Sequence, residues 1–232
     1  MKHIIKINQQ ALSQIILSGF EAFVIKHGEY KRSGIEFHAS VFGDIRINQS
    51  KSVITHDVQF ISVNTSSKLS SGQVEYLTEA MDLKDSLAEQ LGYSMLGTMH
   101  SHPYMRHEME LDQVRSRGCN FSDGDLATYS ELIDRHESSE GYHLEILLTI
   151  KHLEKANTQK DGRIEANLFE FSVGNCKCFL RTQVFSKDDD GNLIHDETEL
   201  QCEYLESHSH LQAEFARIEP KAGKKRMLEY RG

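Results

Sequence analysis

Residues 93–99 make a short apolar run that reads as a buried strand, and the run leads directly into His100-Ser101-His102-Pro103. Side chains two apart on a strand point to the same face. His100 and His102 therefore present two imidazoles side by side at the strand end. Ser101 points to the opposite face, where a structural role is expected. Pro103 should stop the strand, because it has no N–H to give to a ladder. A second stretch, Ser122-Asp123-Gly124-Asp125, reads as a loop entering a helix, with Ser122 near the N-cap and Asp125 in the first turn. Two histidines and an aspartate on rigid elements suit a three-ligand zinc site whose fourth position stays open for water.

The remaining chain supplies alternating strands and helices. Residues 2–7 suit a short edge strand. Asn8 can cap a helix to about residue 27, because Leu12, Ile15, Ile16, Phe20, Phe23 and Val24 follow helical steps, and His27-Gly28 should end it. Strands are expected over 35–47 and 52–63, and a Ser-rich loop over 65–72. A helix is expected over 73–92, capped by Ser70 or Ser71. Residues 104–121 are the least regular stretch. A helix over 123–137, a continuous apolar strand over 142–150 and a polar loop over 151–163 follow. Residues 164–173 and 177–186 suit a hairpin across Gly174-Asn175. The acidic run at 188–192 reads as a solvated turn into a strand from 193, since Thr198 stands where a calcium loop needs glutamate. His208-Ser209-His210 reads as a polar helix start, and 221–232 as a charged tail. The pattern predicts an α+β chain, an α-β-α sandwich around a mixed, curved sheet. Its main domain spans 1–205, with an insertion at 104–121 and a β-rich C-terminal part, and a helix and tail cover 206–232.

The spacing His100-x-His102-Pro103, followed by Ser122-x-x-Asp125, resembles the signature of the JAMM (MPN-type) zinc isopeptidases. That family also carries an upstream glutamate at a strand start, and Glu36-x-x-Ala39-x-x-x-Gly43 matches the spacing, with Ala39 in place of the usual glycine. The resemblance covers roughly the first two thirds of the chain. It implies the JAMM sandwich, zinc on His100, His102 and Asp125, Glu36 as general base, and Ser122 as donor to the oxyanion. One departure stands out. Eighteen residues separate Pro103 from Ser122, where the family has several. Asp112 lies nearer the usual distance, but Met109 occupies the place its serine would need, which favours Asp125. His38 and His107 are further candidates, although a lone histidine is more often a surface or core residue than a ligand.

The resemblance implies cleavage of an isopeptide or peptide bond after the C-terminal glycine of ubiquitin or a ubiquitin-like protein. The chain is also similar to bacterial JAMM proteins encoded beside ubiquitin-like, E1-like and E2-like partners, some in antiphage defence. Two alternatives stay open: a non-enzymatic MPN-type scaffold or binding module, and a processing enzyme for a ubiquitin-like sulfur carrier. A purely structural zinc site would not need Glu36. Net charge is −9, and the one dense basic run is at 221–226, so the main body is not expected to bind nucleic acid. No apolar run reaches the ~18 residues of a membrane span. With no signal-peptide pattern and four cysteines expected to be free, the reading is a cytoplasmic protein.

Overall fold

The computed structural model describes residues 1–24, 34–65, 68–69, 74–75, 78–135, 141–208, 210–211, 217–218 and 228–229. The chain is α+β. Its strands are β1 (Lys2–Ile7), β2 (His38–Asn48), β3 (Val53–Val63), β4 (Lys68–Leu69), β5 (Val74–Glu75), β6 (Ser94–Tyr104), β7 (Tyr142–His152), β8 (Gly162–Glu165), β9 (Leu168–Val173), β10 (Cys176–Lys187), β11 (Leu193–His195), β12 (Thr198–Gln201), β13 (His210–Leu211), β14 (Arg217–Ile218) and β15 (Leu228–Glu229). Its helices are α1 (Gln9–Val24), α2 (Thr78–Gln90), α3 (Leu111–Gln113), α4 (Asp123–Arg135) and α5 (Glu203–Ser207). Eleven strands form one mixed sheet in the order β12-β1-β3-β2-β6-β7-β10-β9-β13, with β11 beside β10 and β8 beside β9. The sheet curls until its margins meet: Leu200 N on β12 donates to the Ala166 carbonyl in the β8–β9 turn at 2.9 Å.

The strand period of two sorts β7 into two faces. Leu144, Ile146, Leu148 and Ile150 point into the main core, together with Ile15 and Phe23 of α1. His143, Glu145, Thr149 and Lys151 alternate with them on the other face and are also buried. That second face is covered by α4, whose Tyr129, Leu132 and Ile133 pack with Phe185 and with Met81 of α2. Two glycines permit close strand approaches. A Cβ on Gly97 would lie 1.9 Å from the Leu144 carbonyl oxygen, and one on Gly43 would lie 1.9 Å from that of Asp57, beside the β2–β3 register shift.

Several expectations need correction. Pro103 does not stop β6: the strand continues to Tyr104, and Pro103 sits opposite Ile150 in the parallel ladder. Ser101 N donates to the Phe37 carbonyl, so the N–H that Pro103 lacks would face the same side, beyond the start of β2, where no ladder partner is needed. β2 begins at His38 rather than residue 35, which leaves Glu36 in the segment that leads into the strand. The helix expected from 73 begins at Thr78, because Val74–Glu75 pairs with Lys68–Leu69. Residues 104–121 are not irregular throughout: α3 runs into a π-helical turn at Val114–Gly118, and Val114 and Cys119 pack with Leu168 and Phe179. The strand expected from 193 breaks into β11, β12 and α5. His208 ends α5 instead of starting a helix. The Gly174-Asn175 hairpin and the 188–192 turn are observed, and all four cysteines are free and buried. The helix end at His27-Gly28, the caps at Ser70 and Ser71, Ser209 and most of the tail lie outside the described residues. Among the described residues, no helix is long and apolar enough to cross a membrane.

The Gly97 contact sets the spacing between the strand that carries the histidines and its neighbour β7. Gly97→Ala is expected to cost at least about 3 kcal/mol, by forcing β6 off β7. Gly92→Ala, at φ +83° with open space around it, is expected to cost about 1–2 kcal/mol for its left-handed backbone alone. Chemical denaturation of the two variants decides, and equal losses would show that the β6–β7 spacing is not tight.

Candidate metal centre

β6 carries His100 and His102 on one face, as the alternation requires. Their Nε2 atoms lie 3.2 Å apart. The Asp125 Oδ2 atom, from the first turn of α4, lies 3.6 Å from each. Ser122 orients that carboxylate. Its backbone N–H and its hydroxyl each donate to Asp125 Oδ2 at 2.7 Å, and Asp125 N donates back to Ser122 Oγ at 3.2 Å. The reciprocal pair caps α4 and aims Asp125 at the histidines together. Among the described residues, His100, His102 and Asp125 could hold a metal ion.

The other nitrogen of each ring is also committed. His100 Nδ1 donates to Glu145 Oε1 at 2.7 Å. Glu145 is fully buried on β7, and its Oε2 accepts from the Thr98 hydroxyl and from His143 Nε2, the latter at 3.2 Å. His102 Nδ1 donates to the Gly118 carbonyl oxygen at 3.3 Å. When both imidazoles are neutral, both Nε2 lone pairs therefore converge with an anionic oxygen on one point. Such an arrangement repels itself unless a cation, a proton or a metal, sits there.

The electrostatics say the same. Burial opposes charge on His100, but the hydrogen bonds and charges of Asp125 and Glu145 outweigh it and raise the imidazole to about 10. Burial likewise works against the Glu145 anion, yet its bonds to His100 and His143 bring the carboxyl down to about 2. Asp125 is also held below the usual carboxylate range, because its bonds to His100, His102 and Ser122 overcome burial. Glu36 is half-buried and senses all three candidate ligands. Burial raises its carboxyl, His102 and His100 pull it down, and Asp125 pushes it up.

The structure thus brings together His100, His102 and Asp125, with Ser122 bonded to Asp125 and Glu36 within range of the charges of all three. Asp112 lies apart and pairs with Arg115 at 2.7 Å. His38 stacks on His100 at 5.4 Å and is held neutral, at about 3, first by burial and then by His100. His107 is exposed on the turn before α3. Ser101 has the structural part expected, its Oγ accepting from Phe37 N at 3.1 Å. Glu145, Thr98, His143 and Gly118 escaped the sequence reading. The signal was a glutamate and a histidine inside the apolar run at 142–150, where a buried charge needs a partner.

No family model matches the chain. No curated protein matches it. Among solved structures it is similar to a protein of Desulfitobacterium hafniense determined in solution, with 14% identity and a TM-score of 0.43, over 90% of this chain and 99% of that one.

A metal ion entering this site must displace the proton that His100 holds in the metal-free protein. Calorimetry in buffers of different ionisation enthalpy is expected to show about one proton released per metal bound. Because His100 stays protonated up to about 10, affinity should rise about tenfold per pH unit between pH 6 and 8. An affinity that does not change with pH would contradict the charged His100.

Proposed function

We propose that this chain is a JAMM-type (MPN-type) zinc metalloprotease that hydrolyses the isopeptide or peptide bond after the C-terminal glycine of ubiquitin or a ubiquitin-like protein. The observation that carries the reading is the convergence of His100, His102 and Asp125, with the half-buried Glu36 within range of their charges. The helices support the family's α-β-α sandwich: α1 lies against the main core, and α2 and α4 cover the opposite face of the sheet. Zinc is the metal that suits the donors. Zn–N distances near ~2.0–2.1 Å give a tetrahedral edge of about 3.3 Å. The three observed edges, 3.2, 3.6 and 3.6 Å, bracket it with one short and two long sides.

Zinc in this site would supply Lewis acidity and bring the pKa of a water toward ~7. The chain's own residues supply the rest. Glu36 takes the proton of the attacking water and returns it to the leaving amine, and its partial burial suits it to hold a proton between those two steps. Ser122 lies at the entrance of α4 and turns its hydroxyl from Asp125 to the oxygen that becomes negative. Glu145 and Gly118 keep His100 and His102 in the tautomers that leave both Nε2 atoms free. The enzyme would act in a cytoplasmic, bacterial ubiquitin-like system, with the ubiquitin-like protein as substrate and E1-like and E2-like proteins as further partners.

Glu36→Gln tests the assignment, because it keeps shape and removes the proton acceptor. We expect zinc content and melting temperature to stay as in the wild type while turnover of a ubiquitin-like fusion falls about 10²–10⁴-fold. Wild-type turnover by the Gln variant would remove Glu36 as base. A wild-type chain that binds zinc but cleaves neither ubiquitin-like fusions nor a sulfur-carrier precursor would leave the scaffold reading in its place.

A further inference from the structure

His100 and His102 are supported differently. His100 lies mid-strand against the buried Glu145, whereas His102 lies beyond the stretch of β6 that pairs with β2, and its Nδ1 donates to the carbonyl of Gly118. Gly118 is the last residue of the π-helical turn Val114–Gly118, which is closed by Cys119 N donating to the Val114 carbonyl at 3.0 Å. The wide turn presents the Gly118 carbonyl to His102 and also to the Thr149 hydroxyl, at 3.4 Å. A Cβ at Gly118 would come within 3.1 Å of both Met109 Sδ and Tyr104 Cε2, so the backbone sits tightly against its surroundings.

A helix as short as residues 111–118 has no stability of its own. Its position is set by what pins it. Arg115 grips both carboxylate oxygens of Glu170 on β9, with Nε at 2.9 Å from one and Nη2 at 2.7 Å from the other. Its Nη1 donates to Asp112 Oδ1 at 2.7 Å, which ties the start of the same turn. Glu170 is fully buried and is shared with the buried Lys177 at 3.1 Å, and Lys177 also pairs with Asp161. On the far side, Arg181 Nε donates to the Cys119 carbonyl at 2.9 Å. Gly118 is thus held between two fixed points. A two-pronged guanidinium–carboxylate pair is the most directional of such pins.

We infer that Arg115 is a positioning residue for the metal centre: its grip on Glu170 holds the Gly118 carbonyl against His102 and so fixes which nitrogen of His102 faces the ion. The inference rests on the metal-site reading above. It also gives the unusual 104–121 segment a task, that of outer support for the second histidine. Partners of this kind are typically worth 10–100-fold in metal affinity.

The test uses the full chain, Arg115→Gln and Arg115→Lys, with Zn²⁺ alone as the probe. Chelator competition is expected to show zinc binding weakened about 10–100-fold in Arg115→Gln and less in Arg115→Lys, which keeps the charge but loses the two-pronged grip. Long-range ¹H–¹⁵N spectra of the metal-free proteins at pH 8 supply the second readout. The wild type should show His102 protonated at Nδ1, and Arg115→Gln a mixture of both tautomers. Should Arg115→Gln not fold, Glu170→Gln, which keeps shape and removes the charge, carries the same expectation. Wild-type zinc affinity and an unchanged His102 tautomer in the variants would overturn this inference alone, as would a wild-type His102 protonated at Nε2. A wild-type chain that binds no zinc would overturn the metal reading and this inference with it.

Discussion

The site depends on one buried carboxylate. Glu145 sits in a central strand with no exposed surface. An ion in that position is tolerated only when its charge is compensated and its oxygens are occupied. His100 takes one oxygen, and Thr98 and His143 share the other. The consequence runs outward. With Nδ1 tied to Glu145, His100 presents Nε2 to Asp125 and His102. That converging corner carries a net demand for positive charge, which a proton or a metal ion can answer.

Strand geometry makes this arrangement possible within one fold. The even residues of β7 close the main core, and the odd residues line the opposite, polar face. The same alternation on β6 sends Thr98, His100 and His102 toward that face and Met99 into the core. A single pair of parallel strands therefore supplies the hydrophobic framework and two of the three candidate metal ligands, His100 and His102. Gly97 brings the two strands to their close approach, and the α4 cap at Ser122 delivers Asp125 from the covering layer. The outer face then continues into a second buried charge system, Arg115–Glu170–Lys177–Asp161, which holds the helical turn at 111–118.

The features that rest on local rules were legible in the sequence. His100 and His102 share a face because strands have a period of two, and Ser122 with Asp125 read as a cap because the spacing permits the reciprocal bonds. The hairpin at Gly174-Asn175 and the turn at 188–192 follow from turn chemistry in the same way. The parts set by distant contacts were not legible. Pro103 continues β6 because its missing donor faces a side without a partner strand, which depends on where β2 begins. Val74–Glu75 pairs with Lys68–Leu69 instead of opening α2. The 104–121 segment looked irregular because its helical turn is fixed by Glu170 and Arg181, residues 55 and 62 positions away from their partners Arg115 and Cys119. Glu145 was visible in the sequence, but its meaning appears only once β6 lies beside it.

The proposed chemistry requires a metal site on His100, His102 and Asp125. X-ray absorption at the zinc edge on the zinc-loaded full chain tests it most directly. A four-coordinate ion is expected, with nitrogen and oxygen neighbours near ~2.0–2.1 Å, the multiple-scattering pattern of two imidazoles and no sulfur. Asp125→Ala is expected to lose the ion at equal chelator concentration. Sulfur in the first shell, a single imidazole, or an unchanged spectrum and full occupancy in Asp125→Ala would contradict it.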